Sequence, residues 1–109
     1  MKLLVKDHTL FPGPRYKILG EYSGEWFRDD ILIPLLASTE SDLIQIDLDG
    51  TVGYGSSFLE EVFGGLVRKK IPENQIQSIL DNIISTEDES LIFEIKSYVK
   101  DEQERQARS

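Results

Sequence analysis

Two periods of apolar residues organise the chain. Over residues 43–49, LIQIDLD, the period is two: Ile44, Ile46 and Leu48 share one face, and Leu43, Gln45 and Asp47 share the other. That alternation predicts a strand, the clearest in the chain and expected at the centre of a sheet. Beyond residue 57 the period lengthens to that of a helix. Phe58, Leu59, Val62, Phe63, Leu66 and Val67 form one broad apolar stripe, and Glu60, Glu61, Gly64, Gly65 and Arg68 take the rest of the surface. Ser57, followed three residues later by Glu60, has the capping-box spacing that starts a helix.

The remaining elements are read in the same way. KLLVK (2–6) suits a short strand, and residues 11–22, with two prolines and two glycines, a loop. Ser23 offers an N-cap to a helix carrying Phe27, Ile31 and Leu35, with Glu25 at its positive end and Pro34 expected to kink or shorten it. Pro72 suits the first position of a short helix over ENQIQSIL, and LDNIIS a further strand. Thr86 and Glu89 repeat the capping-box spacing ahead of Leu91, Ile92, Ile95, Tyr98 and Val99, which predicts a helix over 87–102, with residues 101–109 as a frayed polar tail. Strands and helices alternate, so the expected fold is α/β, a single domain over 1–109 with helices packed on a small mixed sheet.

Composition narrows the chemistry. A chain of 109 residues buries one modest core, and 12 basic against 20 acidic residues leave a net charge of −8, which disfavours nucleic acid and anionic membranes as partners. There is no cysteine and one histidine, His8, so neither thiolate chemistry nor a Cys or His metal cluster is expected, and no cofactor is called for. No apolar run reaches membrane-span length and no signal-peptide core forms at the start, so a cytoplasmic protein is expected.

The letters DLDGT (47–51) match the nucleophile motif of haloacid-dehalogenase-type phosphatases, in which Asp47 and Asp49 would work with magnesium. That chemistry also needs a hydroxyl residue, a lysine and a later acidic pair on successive strands, and 60 residues after Asp49 do not hold them. A strand end followed by an Asp-Gly turn accounts for the same letters. The expectation is a non-enzymatic protein, with a small magnesium-dependent phosphohydrolase as the alternative.

Read on to Leu59, the segment DLDGTVGYGSSFL resembles the phosphorylation-site segment of STAS domains, the fold of anti-sigma-factor antagonists. Asp47-Leu48 aligns with that family's strand end, Ser56-Ser57 with its serine pair and Leu59 with its helix leucine, while Gly55 and Phe58 depart from its aspartate and glycine. YGSSFLEEVFGGLVR (54–68), with SGEWFR (23–28), is closer still to the bacterial STAS-like domains. The resemblance implies a small α/β regulatory module that binds a protein partner, a histidine-kinase-type ATPase, and is switched by phosphorylation of Ser56, with Ser57 the neighbouring candidate.

The residues themselves allow this. A serine at a helix start lies beside unpaired N–H groups, and a phosphate would add about −1.5 to −2 charge there. The plainer alternative is that Ser57 caps the helix and Ser56 solvates the turn. Tyr54, Gly55, Glu60, Glu61, Gly64, Gly65 and Arg68 are the candidate partner contacts. Tyr54 could equally fold onto the core, and the two glycines could equally serve internal close packing. Arg15, Lys17, Arg28 and the Arg68-Lys69-Lys70 cluster are read as solvated charge rather than as receivers of a phosphate or an acidic partner.

Overall fold

The computed structural model describes residues 1–108. Two strands, β1 (Lys2–Leu4) and β2 (Gln45–Asp47), pair in parallel with Leu3 opposite Ile46. Ile84 bridges to Asp47 on the other side of β2, also in parallel, through hydrogen bonds of 2.8 Å from Ile84 N to the Ile46 carbonyl and from Leu48 N to the Ile84 carbonyl. β2 is therefore central. The mixed sheet expected from the sequence is replaced, among the described residues, by a parallel one, because helices fill the connections and return the chain to the same strand end. The expected strand over 2–6 stops at Leu4, where Val5–Asp7 tighten into a 3₁₀ turn, and the LDNIIS strand shrinks to the Ile84 bridge.

Four helices follow, here numbered in chain order. α1 spans residues 24–38 and opens on Ser23, whose hydroxyl accepts from Trp26 N at 3.0 Å. Its middle, Phe27–Leu32, widens into a π-helical turn in which Ile33 N donates to the Arg28 carbonyl. In a regular helix the Pro34 ring would strike the carbonyl four residues back; the wide turn just ahead of it relieves that clash, and the helix runs on to Ser38. α2 spans 56–68 and carries a second π-helical turn, Glu60–Gly64. α3 (Glu73–Asp81) is N-capped by Pro72, one position earlier than expected. α4 runs Ser90–Ala107, so residues 101–107, expected to fray, are helix. Thr86 and Glu89 do not form their capping box: the Thr86 hydroxyl is turned to Asp49.

α2 lies against both α1 and α4. Its stripe is buried as the pattern demands, and with Phe27, Leu32, Ile44, Ile46, Leu48, Ile79 and Ile95 it forms one core. Phe27 and Phe58 meet with ring centres 6.1 Å apart. Trp26 is only half-buried, packed on that core rather than inside it.

Candidate interaction site

The loop after β2 is built by carboxylates accepting backbone N–H groups. Asp47 takes Asp49 N at 3.0 Å, and Asp49 takes Thr86 N at 3.2 Å and Glu87 N at 3.0 Å, together with the Thr86 hydroxyl. Glu87 in turn accepts Gly50 N. Those bonds, first the one from the Glu87 backbone and then that from the Thr86 hydroxyl, hold the Asp49 carboxyl below its ordinary value. Both Asp49 oxygens are engaged, as in a carboxylate that clasps two loops together. The clasp borders a cleft of about 370 Å³ that includes Leu48, Val52, Tyr54, Ser85 and Leu91. No group of three or more metal-ligating side chains occurs among the described residues.

Tyr54 folds inward. Its hydroxyl donates to the Leu48 carbonyl at 2.7 Å, its ring sits 5.8 Å from that of Phe58, and burial pushes its phenol up to about 12. Gly53 and Gly55 face open space, and Val52 beside them is exposed. Ser56 and Ser57 follow, both exposed, at the start of α2. The helix begins two residues before the expected point, with Gly55 and not Ser57 as N-cap and no side chain closing its first turn, so the Ser57–Glu60 capping box is not formed. On α4 the Tyr98 hydroxyl donates to Glu94 at 3.2 Å.

Glu60 is drawn elsewhere. It receives both guanidinium nitrogens of Arg68, each at 2.9 Å, and one of Arg15. Paired charge-assisted bonds of this kind outweigh the single backbone N–H that a capping box offers. Glu61, expected on the surface, is buried. It accepts Arg28, Arg68 and Arg15, the last two at 3.2 Å, and its carbonyl takes Arg28 Nη1 at 3.1 Å. Arg28 is buried too and holds Asp29 by two bonds, at 2.7 and 3.1 Å. Arg68 Nη1 reaches Glu102 at 2.6 Å, and Arg105 closes the chain on Glu102 with two bonds of 2.7 Å. Four arginines and four carboxylates thus join the 11–22 segment, α1, α2 and α4.

This network revises the reading of the charges and the glycines. Arg15, Arg28 and Arg68 are internal partners of acidic residues, not solvated charge. Gly64 and Gly65 are buried. A Cβ on Gly65 would lie 2.4 Å from Arg28 Nη1, and one on Gly64 would lie 2.3 Å from Glu60 Oε2, so the pair makes room for side chains of its own chain. Of the candidate partner contacts, Glu61, Gly64 and Gly65 are therefore already covered by the chain itself. Exposed at the site are Gly55, Ser56 and Ser57, with Glu60 and Arg68 at its half-buried edge.

A family model described as a STAS-like domain of unknown function (DUF4325) matches residues 23–90, which include α1, β2, α2, α3 and the Ile84 bridge. No curated protein and no solved structure matches the chain significantly. No described helix is long and apolar enough to cross a membrane.

Proposed function

Because the chain belongs to the family of STAS-like domains, we propose that it is a non-enzymatic regulatory module that binds a protein partner, a histidine-kinase-type ATPase, at the loop before α2, and that phosphorylation of Ser56 switches the affinity. The observation that carries this reading is the setting of Ser56. It is exposed, follows a loop open at Gly53 and Gly55, and starts a helix that is otherwise buried in the centre of the fold. A kinase can reach such a hydroxyl without unfolding anything. The added charge then sits where N–H groups lack a side-chain cap, on the surface a partner would meet. The engagement of both Asp49 oxygens favours this over the phosphohydrolase, since a carboxylate already accepting three hydrogen bonds from the 86–87 loop is not free to serve as the acid–base partner of a nucleophilic Asp47.

Incubation with ATP and histidine-kinase-type ATPases encoded near the gene, followed by intact mass measurement, tests it. The expected result is a partner-dependent gain of one phosphate, lost in Ser56→Ala and kept in Ser57→Ala. A stable complex with no mass gain would remove the switch and leave a constitutive binding domain. Magnesium-dependent hydrolysis of a phosphoester, lost in Asp47→Asn, would replace the reading with the phosphohydrolase.

A further inference from the structure

We propose that the outward face of α4 is a self-association surface, on which a second copy of this chain packs antiparallel so that Glu89 of each copy meets Lys100 of the other. Glu89, the N-cap of α4, and Phe93, Lys96, Lys100 and Glu104 within the helix recur at helical spacing on one side, and all five are exposed. Phe93 is the outlier among them, an aromatic side chain 74% exposed in the first turn of α4. Beside it runs a groove of about 410 Å³ whose apolar wall is Ile83, Ile84 and Ile92. A projecting ring next to an apolar groove is complementary to a second copy of itself about a two-fold axis, each ring entering the other's groove.

The charges select the occupant and its direction. Along this face they read acidic, basic, basic, acidic, with Phe93 between the first two. Set antiparallel about a two-fold midway between residues 93 and 96, Glu89 falls opposite Lys100 of the second copy and Phe93 opposite Lys96, whose ammonium can sit on the ring. Each contact occurs twice. A parallel pair in register would instead oppose Glu89 to Glu89 and Lys96 to Lys96. Balance is also what distinguishes this face. With four arginines and four carboxylates taken by the internal network, the rest of the chain carries eight cations against sixteen anions, and most approaches of two copies are repulsive. The α4 face holds two of each sign.

Sedimentation equilibrium of the full chain across the micromolar-to-millimolar range reads the association directly. The expected result is a reversible dimer that Phe93→Glu weakens about tenfold or more, with the helical circular dichroism unchanged. Glu89→Lys and Lys100→Glu each weaken it, and the two together restore it, because reversing both charges recreates the pair. A monomer at every concentration overturns the proposal, as does a dimer indifferent to Phe93→Glu. Failure of the double reversal to restore association overturns the antiparallel pairing.

Discussion

Arg28 and Glu61 meet in the interior between α1 and α2, their side chains 4% and 7% exposed, and one guanidinium nitrogen of Arg28 serves both the carboxylate and the main-chain carbonyl of Glu61. Two charges out of water are stable here only because each has several partners. Removing Glu61 leaves the buried Arg28 with the Asp29 carboxylate and strips its Nη1 of the Glu61 side-chain oxygen and its charge, at a cost of roughly 3 kcal/mol. Glu61→Ala is expected to lower stability by that amount in urea unfolding. The paired replacement Arg28→Met with Glu61→Leu, which leaves no orphan charge at Glu61, is expected to recover a large part of it.

Gly65 lies where that arginine crosses α2. Alanine in a helix is ordinarily better than glycine by about 0.8–1 kcal/mol. At Gly65 the added methyl would meet the guanidinium at 2.4 Å and the Arg28 Cδ at 2.9 Å, atoms locked by their bonds to Glu61 and Asp29. Gly65→Ala is therefore expected to destabilise by about 1–3 kcal/mol despite its better helix propensity. Gly64→Ala meets only the far end of the Glu60 side chain, at the half-buried edge of the network and not in its interior, and is expected to cost less. Thermal or urea unfolding of the two variants gives the order.

Acid should dissolve the same network. The hydrogen bond from Arg28 holds the Asp29 carboxyl down. Burial pushes Glu60 and Glu102 up, but their arginine partners, Arg68 and Arg15 for the first and Arg105 and Arg68 for the second, more than cancel it and leave both below the ordinary 4.5. A carboxyl whose folded value lies below its unfolded one stabilises fully above the unfolded value, and that stability is lost as pH falls through the folded one. Stability from these groups is thus expected to stay level from neutrality to about pH 5 and to decline below it. Arg68→Met, which deprives Glu60, Glu61 and Glu102 of a shared partner, should move the acid transition to higher pH, as followed by circular dichroism.

Asp49 makes a prediction of another kind. As a clasp, its replacement by alanine frees the Thr86 and Glu87 amides and the Thr86 hydroxyl. Hydrogen exchange at those two amides is expected to quicken while the α2 core stays protected. An unchanged exchange pattern would mean that the carboxylate is not what joins the two loops.

Much of this architecture is legible in the sequence because local patterns carry it. The alternation of Ile44, Ile46 and Leu48 fixes the buried face of β2, the stripe from Phe58 to Val67 fixes α2, and Ser23 caps α1 where its spacing predicts. The charged network is hidden by distance along the chain. Arg15 finds Glu60 and Glu61 across 45 and 46 positions, Arg28 finds Glu61 across 33 and Arg68 finds Glu102 across 34, and no short spacing marks such pairs. A local clue is the pair Gly64-Gly65, which leaves helix surface vacant just after two glutamates and so points to something large and polar crossing there. The same blindness explains the tail: residues 101–107 look like solvated charge, yet Glu102 is held by Arg68, and the helix continues with it. It also explains the missing capping box, since Glu60 has better partners than the Ser57 backbone.

The regulatory reading stands on the exposed start of α2, and the affinity of the partner for that surface tests it most directly. Calorimetric titration of the proposed histidine-kinase-type ATPase partner, against the unmodified protein and Ser56→Asp, is expected to give dissociation constants about tenfold or more apart. Equal affinities for the two forms would contradict it.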